Sequence, residues 1–230
     1  MYAYQSSFTD RVSQLLERVD YRVAETVEQR EEIYRLRYEA YRREQSIEPN
    51  DAELFYDDYD ELDNVQIFGL YVEDRLVSSI RIHVASQDQP QFPSRATFAD
   101  LLDPELAAGK VIIDPTRFVT DRDVSQSLTG LPHLTLRLCW MAAQHYDADH
   151  FLVAIRTEHQ AFYRRTFNHR LICPERPYPM LKAPISLMTL RHSDVADKVH
   201  RRYPFFASTA FERQRLFGQS SRQLTFAEAS

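Results

Sequence analysis

Apolar and polar positions alternate along this chain with two periods, one helical and one extended. In "FTDRVSQLLERV" the residues Val12, Leu15, Leu16 and Val19 share one helical face, with Thr9 or Asp10 as the cap. "YRVAET" is a short strand. Residues 27 to 45 form a second helix, with Ile33, Leu36, Ala40 and Tyr41 along one side. The stretch "FYDDYDELDN", residues 55 to 64, breaks both periods and reads as an acidic loop. "VQIFGLYVEDRLVSSIRIHVA" is two strands joined at Glu73–Asp74. "TFADLL" is a short helix among the breakers Pro90, Pro93 and Pro104. "KVIIDPTRFVT" is a long strand whose Pro115 requires an edge or a bulge. "LPHLTLRLCWMAAQHY" is a buried helix and "DHFLVAIR" an almost wholly apolar strand suited to a sheet interior. "EHQAFYRRTF" is a helix, "HRLICP" and "PISLMTLR" are strands, and a polar helical tail begins near Asp194.

This order predicts an α/β fold with a mixed central sheet flanked by helices and a mainly antiparallel N-terminal half. With 230 residues and no linker or internal repeat, residues 1–230 form one domain. Hydrophobic residues at 43% supply a core, and a net charge of −6 argues against nucleic acid as a partner. The N-terminus lacks a basic start followed by an apolar stretch, and no segment is apolar enough to span a bilayer. A soluble cytoplasmic protein with no integral membrane segment is therefore expected. Cys139 and Cys173 have no metal-ligand spacing and read as reduced structural thiols. His133, His145, His159 and His169 show no paired spacing, so no metal is expected, and no GxSxG motif is present.

The runs "EEIYRLRYEAY", "FYDDYDELDN", "LVSSIRI" and "IIDPTRFV" resemble the acyl-homoserine-lactone synthases. The later run "LTLRLCWMAAQHYDADHFLVAIRTEHQAFYRRTF" is similar to the related N-acyl amino acid synthases. Both families have the GNAT acyltransferase fold, and the resemblance covers roughly residues 20 to 192. It implies a substrate-binding set of Arg37, Tyr41, Asp57, Asp60 and Arg81, with Asp114 and Arg117 catalytic on the central strand. The lactone synthases usually carry glutamate where this chain has Asp114. GNAT enzymes often keep a tyrosine that protonates the leaving thiolate, and Tyr163 in "AFYRR" matches it.

Amine acylation needs a base, directly or through an ordered water, and donors for the oxyanion. Asp114, Asp57 or Asp60 could hold an ammonium or act as base, while Arg37, Arg81 and Arg117 could bind a carboxylate. The same arginines equally fit ion pairs that pin the acidic loop to the sheet. Asp58, Glu61 and Asp63 read as a solvated face. Tyr163 fits a core aromatic as well. The runs "LTLRLCWMAA" and "FLVAI" fit an acyl tunnel or plain core.

Only four glycines are present, and "VSQSLTGLPHL" holds one, Gly130. A coenzyme A pyrophosphate is commonly cradled on a glycine-rich turn at a helix N-terminus. Its absence points to an acyl-phosphopantetheine on acyl carrier protein as donor substrate, and no cofactor is expected. An acidic carrier needs a basic dock, for which Arg164, Arg165 and Arg170, with His169, are candidates; "KVHRRY" is a second basic stretch. The expected function is transfer of a fatty acyl group from carrier protein to the amine of an amino acid or similar small acceptor. Two other readings stay open: lactone synthesis from S-adenosylmethionine, and a noncatalytic GNAT-like acyl-binding module. "RREQSIEP" lacks the tryptophan that the lactone synthases carry there; the single Trp140 lies in a later helix.

Overall fold

Among the described residues seven strands form one sheet in the order β1-β2-β3-β4-β5-β7-β6. The computed structural model describes residues 7–125, 127–178 and 183–218. In chain order the elements are α1 (Phe8–Leu16), β1 (Val19–Val23), α2 (Val27–Arg43), β2 (Val65–Val72), β3 (Arg75–Ala85), α3 (Arg95–Ala107) and β4 (Ile112–Thr120). There follow α4 (Arg122–Ser125), α5 (Leu131–His145), β5 (His150–Ile155), α6 (Gln160–Phe167), β6 (Arg170–Arg176), β7 (Ile185–Leu190), α7 (His192–Arg202) and α8 (Ala210–Phe217). Strands β1 to β4 are antiparallel, as the sequence suggests, and β4 runs parallel to β5. The β2–β3 turn falls at Glu73–Asp74, both with positive φ, 52° and 61°. That is the geometry of a two-residue hairpin turn whose twist matches its strands.

One face of the sheet buries Ile80, Ile82 and Ile113 against α5, α1 and the C-terminal helices. The other face carries α2, packed through Ile33, Leu36 and Ala40, and α3, packed through Phe98, Leu102 and Leu106. Cys139 and Cys173 are free and buried. Among the described residues no helix is long and apolar enough to cross a membrane.

Four local readings change. The cap of α1 is Ser7, which accepts from the Asp10 amide while Asp10 accepts from the Ser7 amide; this reciprocal capping box uses Asp10 as its third helical residue. The acidic stretch is no plain loop, because Asp58–Glu61 close a 3₁₀ turn capped by Asp57. Helix α3 extends through Pro104, since buried Leu102 and Leu106 fasten that turn to the core. The stretch beyond 194 is less polar than its composition suggests. Phe205, Phe206, Leu216 and Phe217 are buried in the main core, and Arg137 of α5 bonds Glu212 at 2.9 Å. The tail past residue 218 lies outside the described residues.

Candidate active site

Strand β4 positions the site by separating from β5 and bulging against β3. Its parallel pairing with β5 covers Ile112–His150 and Ile113–Phe151, after which the two strands separate. On its other side the register with β3 shifts between Ser79 and Arg81. Arg117 lies in that bulge with φ 54°. A non-glycine residue in the left-handed region costs on the order of 1–2 kcal/mol, so the surrounding contacts must hold it there. Pro115 itself pairs in register with Ile82 of β3, two residues before the bulge, and lies past the end of the β4–β5 ladder, so its missing N–H is tolerated on an open strand flank.

The separation opens a cleft of about 720 Å³. Ile80, Leu136, Phe151, Val153, Ile155 and Phe162 give it apolar walls, so the α5 and β5 runs contribute both core and cleft lining. Tyr41, Arg117 and Tyr163 line it too. Burial pushes the Tyr163 hydroxyl well above its ordinary value, so it stays protonated. Arg37, Asp57, Asp60, Arg81 and Asp114 are not part of this lining.

Those five residues stand behind the cleft, on the sheet face covered by α2 and α3. Arg37 and Asp60 are fully buried and joined at 2.8 Å. Arg81 reaches Asp57 at 2.6 Å and Asp60 at 3.0 Å, and its Nε donates to Thr116 Oγ1 at 2.9 Å. Arg117 bonds Asp57 and has Phe55 4.4 Å and Tyr41 5.4 Å beneath its guanidinium. Burial alone would raise the Asp57 pKa, but Arg81 and Arg117 overrule it and hold the carboxyl at about 2. Burial also pulls Arg37 below its usual value, opposed by Asp60. The acidic stretch is therefore pinned through Asp57 and Asp60 to the sheet by Arg81 and Arg117 and to α2 by Arg37, while Asp58, Glu61 and Asp63 are exposed.

Asp114 is held differently. It pairs in register with His83 across β3–β4 and is fully buried. Among the described residues no arginine bonds it. Ser94 does, donating its hydroxyl to Oδ1 at 2.6 Å and its amide to Oδ2 at 3.0 Å. Burial outweighs these two bonds and raises the carboxyl to about 6. His83 donates Nε2–H to the Tyr59 carbonyl at 3.0 Å, and burial drops its pKa to about 3. Tyr178, after β6, lies within the fields of Asp114, Arg117, Arg81 and Asp57, and burial raises its hydroxyl. Sequence reasoning missed Ser94, His83 and Tyr178. His83 alone carried a signal, sitting two residues from Arg81 on the same strand face.

Arg164, Arg165 and Arg170 are exposed, but His169 is only 3% exposed and lies under Phe151, Tyr163 and Phe167. It leaves the basic surface because Asn168 turns the chain inward with φ 66°. Arg202 of α7 donates to the Arg165 carbonyl at 3.1 Å, bringing the second basic stretch beside the first. Trp140 is buried in α5 against Phe167, His192 and Phe206. Among the described residues no group of three or more His, Cys, Asp or Glu side chains could hold a metal.

The profile of the FeeM N-acyl amino acid synthase family matches residues 32–191. No curated protein matches the chain in sequence. The chain is similar in structure to FeeM, an N-acyl amino acid synthase from uncultured soil microbes, with a TM-score of 0.64 and 18% identity over 77% of this chain and 92% of FeeM. It is also similar to the AHL synthase LasI, at TM-score 0.56 and 14% identity over 74% of this chain and 89% of LasI. An acyl-CoA N-acyltransferase from Pseudomonas aeruginosa gives TM-score 0.51 and 18% identity over 74% and 98% of the two chains. These likenesses show a GNAT-like fold. With the profile spanning well over half its length, the chain belongs to the FeeM family of N-acyl amino acid synthases and is an acyltransferase.

Proposed function

We propose that the chain moves a fatty acyl group from the phosphopantetheine thioester of an acyl carrier protein to the amine of an amino acid, giving an N-acyl amino acid. The observation that carries this reading is the cleft between β4 and β5. It has apolar walls for an acyl chain and a partly paired arginine, Arg117, for a carboxylate.

The chemistry runs as follows. Asp114 takes one proton from the substrate ammonium through an intervening water and passes it to solvent. The free amine attacks the thioester carbonyl carbon, so a C–N bond forms. The β4 bulge takes one residue out of regular ladder pairing, and its N–H is suited to the oxyanion. The C–S bond then breaks. Tyr163 gives its proton to sulfur and recovers one from the nitrogen, leaving an amide and a free thiol. Arg117 binds the acceptor carboxylate beside Tyr41.

The N-terminus of α5 supports a carrier-bound donor over free coenzyme A. The Leu131 amide bonds Leu128 and the His133 amide bonds Gly130, at 2.9 and 3.0 Å, while Pro132 has no amide hydrogen. These positions therefore lack the free N–H groups that a pyrophosphate requires. Gly130 has a packing reason instead, since a β-carbon there would lie 2.7 Å from Val12. Arg164, Arg165 and Arg170 are the proposed dock for the acidic carrier.

The test is product mass after incubation with acyl carrier protein or acyl-coenzyme A as donor and a panel of amino acids as acceptor. An N-acyl amino acid formed from the carrier is expected. Arg164→Glu with Arg165→Glu should raise the Michaelis constant for the carrier and leave that for the amine unchanged. Equal use of coenzyme A with no effect of these changes would refute the donor reading. A homoserine lactone product would refute the acceptor reading.

A further inference from the structure

Ser94 is the N-cap residue of a 13-residue helix, α3, yet its side chain makes no capping bond. The first turn does not need one, because the Arg95, Ala96 and Thr97 amides donate to the Phe92, Pro93 and Ser94 carbonyls at 3.2, 3.1 and 3.3 Å. Here the hydroxyl and the backbone amide are both turned onto the two oxygens of Asp114. Ser94 is itself 1% exposed, so water does not compete for either bond.

The other groups that face Asp114 leave this hold unshared. Arg81 of β3 is the cation whose field reaches it, but Arg81 is already committed to Asp57, Asp60 and Thr116. His83, also of β3, is neutral and gives its proton-bearing nitrogen to Tyr59. Tyr59 from the 3₁₀ turn and Tyr178 after β6 are phenols whose ionisation is pushed upward, so neither adds charge. The ionised form of Asp114 therefore depends on the two bonds from Ser94 and on the more distant field of Arg81.

We propose that Ser94 is a positioning residue for acyl transfer, holding Asp114 as a carboxylate aligned to accept the amine's proton. This role rests on the reading of Asp114 as the base. Without the hydroxyl, the carboxylate loses its shorter bond while its burial is unchanged. Its protonation midpoint must then rise, and less of it is available as a base near neutral pH.

The test uses Ser94→Ala in the full chain, with two readouts. The first is the carbon-13 carboxyl titration of Asp114, its signal identified by loss in Asp114→Asn. The second is the pH profile of turnover at saturating donor. The Asp114 midpoint should move up by about one unit, and the acid limb of the profile should move with it. Turnover at pH 6 then falls by about fivefold, while the alkaline plateau stays within about twofold of the parent. Ser94→Gly keeps the amide and is tolerated at an N-cap, so it should give the same shift if the alanine variant folds poorly. An unmoved Asp114 midpoint overturns the proposal, as does a loss uniform across pH accompanied by a lower melting temperature. Unchanged turnover in Asp114→Asn overturns the base assignment instead. So does an Asp114 midpoint that moves while the rate profile stays fixed.

Discussion

Asp57, part-buried, and Asp114, fully buried, lie against the same face of the sheet, and burial pushes both carboxyls toward the neutral form. Two arginines reverse that push at Asp57 and hold it at about 2. A serine only softens it at Asp114, which remains near 6. The first carboxylate is a permanent charge that fastens a loop. The second can change its proton in the physiological range. What separates fastening from chemistry here is the partner together with depth: Asp57 is part-buried between two arginines, and Asp114 is fully buried beside a serine.

The largest expected effect comes from breaking the fastened side. Arg37→Ala removes one of the two buried arginines paired with Asp60, leaving Arg81, and should cost about 2–4 kcal/mol of folding free energy. Denaturant titration measures it, and a loss under about 1 kcal/mol would erase the distinction.

Asp114→Asn should act in the opposite sense on the two observables. Turnover should fall by about 100-fold or more if it is the base. Stability at pH 8 should hold or rise, by up to about 3 kcal/mol. The sign follows from linkage. Between about pH 4 and 6 the unfolded chain has released the proton that the folded chain keeps, so folding weakens as pH rises through that window. Asparagine removes this penalty. Calorimetry at pH 5 and pH 8 gives the comparison, and a variant less stable at pH 8 than the parent would contradict it.

Asp57→Asn should cost about 1–3 kcal/mol and weaken acceptor binding more than donor binding, because Asp57 orients Arg117 in the cleft wall. Its depressed pKa supplies stability that is complete above about pH 4 and lost as pH falls toward 2. The acid unfolding curve of the variant should lack that contribution. The smallest effect is expected at Asp58→Asn and Glu61→Gln, both exposed, within about 0.5 kcal/mol and with acceptor affinity unchanged. If these matched Asp57→Asn, a general acidic field would replace the specific pairing.

Much of the fold was legible because its signals are periodic. The hairpin at Glu73–Asp74, the helix carrying Arg37 and the strand carrying Pro115 all follow from alternation and turn chemistry. The pairing of Asp57 and Asp60 with arginines was legible as one of two readings, because opposite charges at motif spacing suggest it. Ser94 left no trace. One serine in "QFPSRA" has no period, and its role depends on a strand 20 residues later. His169 was read as surface because its neighbours are arginines, and nothing local reveals that Asn168 turns it inward. The phenylalanines beyond residue 203 were too sparse for a helical stripe, yet tertiary packing buries three of them.

Those phenylalanines separate the boundary of kinship from the boundary of folding. The family profile ends at residue 191, and every residue assigned to the site precedes it. Burial of Phe205, Phe206, Leu216 and Phe217 contributes on the order of 6–12 kcal/mol, comparable to the net stability of a whole domain. A gene trimmed to the profile would encode every assigned site residue and leave Trp140 and Phe167 open to water. Expression designs for this chain therefore need to run at least through Phe217.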